Sequence, residues 1–243
     1  VTGQFSPQSM RNSLYRARTV NSEQIHQKAP TSVQSLLNTE IGIRLSNDMA
    51  LGETDFELMG MSGNNVKILL DGIPLIDRGA TKQSQLDVNS IERVEIVEGP
   101  MSVVYGTDAL AGVINIITKK GDGYSEENTW RVGARVQEES MGKEYDFFKD
   151  KGLHNESIDL GFNHKSGLFV NGGYTRNNHG GWQGDLTGRE KRWHPKDQAL
   201  MNGMFGFQNR NMNVWYRLDF LDEKIFGPNN GSELQPEKVS DKD

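Results

Sequence analysis

Five segments in the second half of the chain alternate apolar and polar residues with a period of two, the spacing of a β-strand with two unlike faces. In the first segment, Trp130, Val132 and Val136 share one face while Arg131 and Arg135 share the other. The pattern predicts five consecutive antiparallel strands. The segments contain residues 129–138, 158–163, 168–175, 199–208 and 212–221.

Short and long connections alternate between these segments. Residues 165–167 and 209–211 are brief links, whereas 139–155 and 177–198 are long and polar. An outer-membrane barrel has this rhythm of tight inner turns and long outer loops, with about 9–11 residues per tilted strand. A soluble sandwich also alternates, with its apolar residues inside. Alternation alone favours the sandwich, because sandwiches are commoner than membrane barrels. The alternating short and long connections favour the barrel, but not enough to reverse that preference.

Composition excludes several classes of protein. The 243 residues carry a formal net charge of −6, which provides no basic field for a phosphate backbone, so nucleic acid is not an expected partner. The absence of cysteine excludes disulfides and thiolate metal sites. No apolar run reaches the length of about 18–20 residues that a membrane helix needs, so any membrane contact must be made through β-structure.

The first half, from about residue 16 to residue 120, begins with short strand and helix signals. Residues 16–20 predict a strand, and Asn21 or Ser22 predicts the cap of a helical turn after it. Residues 30–31, Pro-Thr, predict the opening of a second helix. The apolar face of that helix would consist of Val33, Leu36 and Leu37.

Three strand signals follow in this half. Residues 65–76 predict a hairpin, because Asp71-Gly72 supplies the positive-φ pair of a tight turn between two apolar runs. Residues 112–120 are rich in β-branched side chains and predict a buried strand. Residues 91–99 predict a strand that ends at Gly99-Pro100. Its two faces would carry Val94 and Ile96 on one side and Arg93, Glu95 and Val97 on the other.

Three ordered motifs together resemble the plug domain of TonB-dependent outer-membrane receptors. They are "VTGQF" at 1–5, "NNVKILLDGIPL" at 64–75 and "SIERVEIVEGPMSVVYGTDALAGVINIITKK" at 90–120. The resemblance implies an α+β plug, a mixed sheet with short helices, at residues 1–120. It further implies that residues 121–243 are the N-terminal part of a transmembrane β-barrel, with about five antiparallel strands and the barrel incomplete.

The same resemblance implies a function. A receptor of this kind imports a scarce nutrient, such as a ferric siderophore, haem or cobalamin, across the outer membrane of a Gram-negative bacterium. Its partners would be a TonB-type energy-coupling protein in the periplasm, a small-molecule or metal-chelate cargo, and outer-membrane lipid. No cofactor, resident metal or catalytic residue is expected. The alternative is a soluble β-rich binding or adhesive domain that transports nothing.

Residues 98–120 are interpreted as the hinge piece between plug and barrel, with a helical turn at 101–105. Two positions depart from the family pattern. Many members carry an arginine before the glycine that precedes the hairpin, and another before the Gly-Pro, where this chain has Met59 and Glu98. The lock that those arginines make between plug and wall is therefore in doubt. The acidic residues Glu92, Glu95 and Glu98, with Arg93, are expected either to pair with the wall differently or to form a solvated strand face.

The cargo-binding residues are assigned from the resemblance. The segments 47–53 and 77–83 follow elements that end, in the resembling plugs, at the outward apex where cargo is held. For any single residue there, an ordinary surface loop is the favoured interpretation. The expected ligand-binding residues are Asn47, Asp48, Met49, Leu51, Arg78, Thr81, Lys82 and Gln83.

Histidine and tryptophan residues in the long connections are further candidates. His154, His179 and His194 could ligate haem iron or another metal, but their spacing fits no compact metal motif, so they are interpreted as solvated. Trp182 and Trp193 could contact cargo, although aromatic residues are expected near a membrane interface in any case.

Two further expectations concern catalysis and completeness. Residues 60–64, "GMSGN", superficially resemble a serine elbow but lack the G-x-S-x-G spacing, so no enzyme is expected. Five strands cannot close a wall around a plug of this size, so the chain is expected to be a fragment of a larger receptor. Residues 224–243 are expected to begin a third outer loop.

Overall fold

The computed structural model describes nine stretches of the chain, and these fall into two compact units. One unit lies within Val1–Asn47 and Thr54–Lys119, and the other within Asp48–Glu53 and Lys120–Asp243. The stretches described are 16–48, 53–61, 65–75, 86–100, 109–121, 127–148, 151–182, 194–228 and 236–242. In these stretches, no helix is long and apolar enough to cross a membrane.

The first unit is built on a mixed five-stranded sheet. The sheet has the order β1-β6-β7-β4-β5, in which β4 and β7 run parallel and the other neighbours run antiparallel. Its strands are β1 (Arg16–Val20), β4 (Val66–Leu70), β5 (Ile73–Pro74), β6 (Ile91–Glu98) and β7 (Gly112–Thr118). The strands β2 (Ile43–Asp48) and β3 (Glu53–Leu58) form a separate pair. Two helices, α1 (Ser22–Lys28) and α2 (Val33–Leu37), and a 3₁₀ turn (Val88–Ser90) complete the described elements.

Both helices begin at capping boxes. Asn21 caps α1 by accepting a hydrogen bond from the Gln24 amide while the Gln24 side chain accepts one from the Asn21 amide. In α2 the cap is Ser32, with Ser35 returning the second bond. The opening predicted at residues 30–31 is therefore wrong, because the Ser32 hydroxyl satisfies the free amide of Ser35.

The hairpin after β4 turns at Asp71-Gly72, as predicted. Asp71 has φ of 52° and Gly72 has φ of 85°, the left-handed pair that a tight hairpin needs. The turn is also held from β7, since Asp71 accepts bonds from the amide and hydroxyl of Thr118 at 3.1 and 2.7 Å. The Gly72 amide donates to Asn115 Oδ1 at 3.0 Å. These long-range bonds fix a turn that the local sequence only favours.

Strands β6 and β7 form the centre of the sheet. Every residue of β7 is buried, which confirms the prediction for 112–120. Of the two alternatives for the charged face of β6, the solvated strand face is wrong, because Val97 on that face packs with Leu69, Ala109 and Val113 in a second apolar cluster. Glu95 on that face is also buried, and it is paired with Arg93 Nε at 3.1 Å.

The second unit is an open antiparallel sheet in which neighbours in sequence are neighbours in space. The five predicted strands are confirmed, and each extends beyond its apolar core into polar residues. They are β8 (Thr129–Glu139), β9 (Leu153–Asn163), β10 (Leu168–His179), β11 (Lys196–Gln208) and β12 (Asn213–Pro228).

A sixth strand corrects the prediction of an outer loop at 224–243. Strand β12 continues to Pro228, and β13 (Pro236–Lys242) pairs with it antiparallel, with a bulge between Ile225 and Phe226. Residues 236–242 carry one large apolar side chain, Val239, so they have no alternating pattern to reveal a strand. Backbone pairing with the long β12 defines this strand instead.

Candidate functional site

The sheet of the second unit has its apolar face outside. Trp130 and Val132 on β8 are 76% and 70% exposed, and the same face of the other strands is exposed as well. The opposite, polar face includes the buried side chains of Asn155, Asn163 and Gln198. This polarity is the reverse of a soluble sandwich, in which apolar residues face inward. The sandwich that alternation alone favours is therefore the wrong interpretation of these strands.

The apolar face is organised in cross-strand rows, which we call the apolar band. Trp130 and Phe162 stack at 4.4 Å between ring centroids, and Phe205 and Tyr216 at 5.5 Å. The first row is Trp130, Phe162, Val170, Phe205 and Tyr216; the second is Val132, Leu160, Gly172, Gly203 and Leu218; the third is Ala134, Ile158, Tyr174, Met201 and Phe220. The next row contains Glu156, Arg176 and Asp222, so the apolar band ends there.

The polar face carries a row of four amide side chains and one carboxylate across five strands, which we call the amide row. Its members, in register, are Gln137, Asn155, Asn177, Gln198 and Glu223. Asn155 donates to Asn177, Asn177 donates to Gln198 at 3.0 Å, and Gln198 donates to Glu223 at 2.8 Å. Lys196 lies 2.7 Å from the same carboxylate oxygen of Glu223 and supplies its counter-charge. Sequence alternation indicated a polar face but not this continuous chain of bonds.

In the first unit, four charged residues fasten the edge strand β1, and we call them the β1 latch: Arg16, Arg18, Glu40 and Glu98. Arg18 Nη2 lies 2.8 Å from Glu98 Oε1 and donates at 2.7 Å to the Ile41 carbonyl. Its Nη1 lies 3.4 Å from Glu40. Arg16 lies 3.5 Å from the other oxygen of Glu98. The latch joins β1 to β6 and to the chain before β2.

The two departures from the family pattern are thereby located. Glu98 makes its ion pairs with Arg16 and Arg18, within its own unit. Met59 lies at a left-handed position, φ 52°, where its amide donates to the Gly42 carbonyl at 2.8 Å. Among the acidic residues of β6, Glu92 and Glu95 both pair with Arg93.

At the start of the second unit, the chain packs against the polar face of the six-stranded sheet. We call the residues that hold it there the linker clamp: Lys120, Gly121, Phe169, Gly206 and Trp215. The Lys120 ammonium lies 5.0 Å from the centroid of the Trp215 ring, a cation–π distance. Gly121 lies so close to Phe169 that an added Cβ would be 2.6 Å from the ring, and Gly206 lies against the far edge of the same ring. Phe169 is buried between these two glycines. Within the clamp, Lys120 is the last residue of the segment 98–120 that was predicted as a hinge, and Gly121 follows it directly.

The connection after β8 is folded around a buried histidine. His154 Nδ1 lies 2.6 Å from Glu138 Oε2, and the same carboxylate accepts from the Tyr145 hydroxyl at 3.1 Å and the Phe148 amide at 3.3 Å. Desolvation and the neighbouring Glu138 carboxylate raise the pKa of Tyr145 above its ordinary value. The interpretation of His154 as solvated is therefore wrong. Phe147 and Phe148, at the end of this connection, are exposed and make an edge-to-face pair.

The other histidine candidates show no metal geometry. His179 Nδ1 accepts a bond from the Gly181 amide at 2.8 Å, and His194 lies two residues before β11. In the stretches that the structure describes, no group of three or more His, Cys, Asp or Glu residues could hold a metal ion.

The expected cargo-binding residues fall almost entirely outside the described stretches. Asn47 and Asp48 are the last residues of β2, which places their backbone but not their side chains. The predicted helical turn at 101–105 and Trp193 also lie outside the described residues. Outside as well lie Met49, Leu51, Arg78, Thr81, Lys82 and Gln83.

Comparison with known proteins identifies what these features are similar to. Residues 9–113 match the family model described as the TonB-dependent receptor plug domain. The ferrienterobactin receptor of Escherichia coli (strain K12) is 32% identical over 123 residues, which cover 43% of this chain and 16% of that receptor. The vitamin B12 transporter BtuB of Vibrio vulnificus is 29% identical over 136 residues, covering 55% of this chain and 22% of that protein.

Solved structures extend the likeness in fold through both units. The siderophore receptor PirA from Acinetobacter baumannii aligns with a TM-score of 0.66 and 19% identity, over 89% of this chain and 32% of the receptor. The copper transporter OprC aligns with a TM-score of 0.67 and 14% identity, over 86% of this chain and 30% of its own length. The chain thus spans about a third or less of the relatives that it matches.

Proposed function

We propose that the full-length protein is an outer-membrane receptor that imports a scarce nutrient, because residues 9–113 match the TonB-dependent receptor plug domain and solved siderophore receptors share the fold. The family is one of non-enzymatic transporters. The plug is taken as residues 1–120 and the first part of the wall as 121–243. Import would depend on a TonB-type protein that pulls on the plug from the periplasm.

The observation that carries this proposal is the outward apolar band. An exposed apolar face of three continuous rows is unfavourable in water but matches the hydrocarbon of a bilayer. The polar face opposite would line the lumen, where hydrogen bonds join Asn155 to Asn177, Asn177 to Gln198 and Gln198 to Glu223. A soluble adhesive domain would not expose this face.

The cargo proposed is a ferric siderophore, haem or cobalamin. Relatives named for ferrienterobactin and vitamin B12 match over similar lengths, so they support the class of large, scarce nutrients rather than one member. The residues proposed to hold it are the eight assigned from the resemblance: Asn47, Asp48, Met49, Leu51, Arg78, Thr81, Lys82 and Gln83.

A growth experiment tests the proposed import function. A strain that lacks the full-length gene would be grown with each candidate nutrient as the limiting iron or cobalamin source, with and without the complementing gene. We expect one nutrient class to require the gene and to require the TonB-type protein as well. Growth that is independent of the gene for every nutrient would contradict an import function.

The site is tested in the complemented strain with Arg78→Ala and Met49→Ala. We expect weaker cargo binding at unchanged abundance in the outer membrane. The matched control is Arg44→Ala, an exposed arginine earlier on β2. If all three variants bind the cargo as tightly as the unchanged receptor, the two segments are not part of the cargo site.

A further inference from the structure

A groove lies at the end of the sheet where the short turns lie, between the first row of the apolar band and the apolar residues beyond that row. The groove has a volume of about 810 Å³ and is bordered by His164. The groove crosses the four adjacent strands β9 to β12, and side chains of these strands form its walls. The side chains of the apolar face that line it are Phe162, Leu168, Val170, Phe205, Phe207, Val214 and Tyr216.

Two short turns lie side by side at the end of this groove. One consists of residues 164–167, and the Gly167 carbonyl accepts a hydrogen bond at 2.8 Å from Gln208, which precedes the other turn. The second turn, 209–212, is closed by the Asn209 amide donating to the Met212 carbonyl at 2.8 Å. Lys165 and Arg210 are exposed, one on each turn. Neither turn contains an acidic residue, so the end of the groove is cationic.

We propose that this groove binds an anionic phospholipid of the periplasmic leaflet, with an acyl chain along the apolar walls and the phosphate at Lys165 and Arg210. The inference rests on the proposed function, which puts the apolar band in the outer membrane and the short turns on the periplasmic side. Basic residues just beyond a membrane-facing apolar surface attract anionic headgroups. The groove is continuous with the band, so a lipid enters it without leaving the bilayer.

Charge argues against a second copy of the chain as the occupant. A two-fold contact through this groove would bring each surface against itself, so Lys165 and Arg210 would approach their own copies. Like charges brought together at an interface oppose association. A phospholipid with a net negative headgroup instead supplies the opposite charge, whereas a zwitterionic headgroup offsets its phosphate with its own cation.

The experiment uses the purified full-length receptor and native mass spectrometry with phosphatidylglycerol or phosphatidylcholine. We expect tighter binding of phosphatidylglycerol, and we expect the double variant Lys165→Gln/Arg210→Gln to lose about tenfold or more of that affinity. The matched control, Lys143→Gln/Lys151→Gln, removes two exposed cations from the connection after β8 and should leave the preference intact. The variant Val170→Trp fills the groove and should weaken both lipids.

Growth on the limiting nutrient is measured in parallel, which separates the two proposals. A receptor that supports growth but binds the two lipids equally would overturn the lipid site alone. The site is also overturned if the turn variants lower dimer formation rather than lipid binding, or if the control variant loses as much affinity as they do. A protein absent from the outer membrane would overturn the proposed function itself.

Discussion

Arg18 and Glu98 are joined by an ion pair of 2.8 Å that crosses from β1 to β6. In the register of the two strands Arg18 lies opposite Ile96, so its side chain reaches diagonally along one face to the end of β6. The same guanidinium also binds the Ile41 carbonyl. One side chain therefore holds the edge strand β1, strand β6 and the chain before β2 together.

Loss of this arginine should loosen β1 selectively. In the full-length protein we expect Arg18→Gln to destabilise the plug by about 1–3 kcal/mol, because the largely buried Glu98 keeps only a weaker partner. Amide hydrogen exchange should show faster exchange in Arg16–Val20 than elsewhere. The control is Arg16→Gln, whose side chain is 70% exposed and should cost at most about 0.5 kcal/mol. Equal effects of the two variants would contradict the role given to Arg18.

The amide row should be needed for the stability of the wall. Replacing Gln198 by Leu removes the donor to buried Glu223 and the acceptor for Asn177, and such a break costs about 1–3 kcal/mol. We expect the full-length barrel to unfold at lower temperature when this is followed by gel mobility. Met201→Leu, on the apolar face of the same strand, is the control and should change the midpoint little. A Gln198→Leu barrel as stable as the original would show that the row contributes nothing.

Whether the apolar band faces lipid can be tested by introducing a single charged side chain. Leu160→Arg puts a cation in the middle row, where we expect a cost of about 2–4 kcal/mol and reduced abundance in the outer membrane. The control is Val136→Arg, on the same face in the row beyond the band and opposite Glu156, where a cation should be tolerated. If Leu160→Arg inserts as well as Val136→Arg, the face does not meet lipid.

Two glycines of β11 should differ in how much their replacement by alanine destabilises the protein. A Cβ on Gly206 would lie 2.5 Å from the Val214 carbonyl oxygen and 2.8 Å from Phe169, so Gly206→Ala should cost about 1–3 kcal/mol in the full-length protein. Gly203 has no atom within 4 Å of that position, so Gly203→Ala should be nearly neutral. Urea unfolding in lipid compares them, and similar midpoints would argue against close packing in the linker clamp.

The connection after β8 should open at high pH. The pKa of Tyr145 is raised above 10.0 by desolvation and by the Glu138 carboxylate. A raised pKa means that the interaction contributes fully below pH 10 and is lost as the pH rises through the value in the folded state. Absorbance titration of the full-length protein, with Tyr145→Phe subtracted, should give a midpoint above that of free tyrosine. A midpoint at or below 10 would contradict the pairing.

The sequence predicted local features well and distant pairings poorly. The Asp71-Gly72 turn and the cap at Asn21 depend on adjacent residues, so their signals are visible in short windows. The bond from Arg18 to Glu98 and the amide row join residues that are far apart in the chain, and no local pattern identifies such partners. Alternation grouped Trp130 with Val132 correctly, but a period of two is the same whichever face is buried, so it could not choose between a sandwich and a membrane wall.

The outward apolar band also reverses the usual rule for which positions accept substitution. Lipid chains are fluid and adjust to any apolar shape, so Leu160, Leu218 and their neighbours need only remain apolar. Inside the wall, the amides of Asn155, Asn177 and Gln198 must each meet a particular donor or acceptor on a neighbouring strand. We therefore expect natural variants to interchange Leu, Ile, Val and Phe freely along the exposed face while keeping residues such as Asn177 and Gln198. In this sheet the outer surface tolerates substitution because it faces the hydrocarbon of lipid. The polar inner face holds the positions at which a particular residue is required.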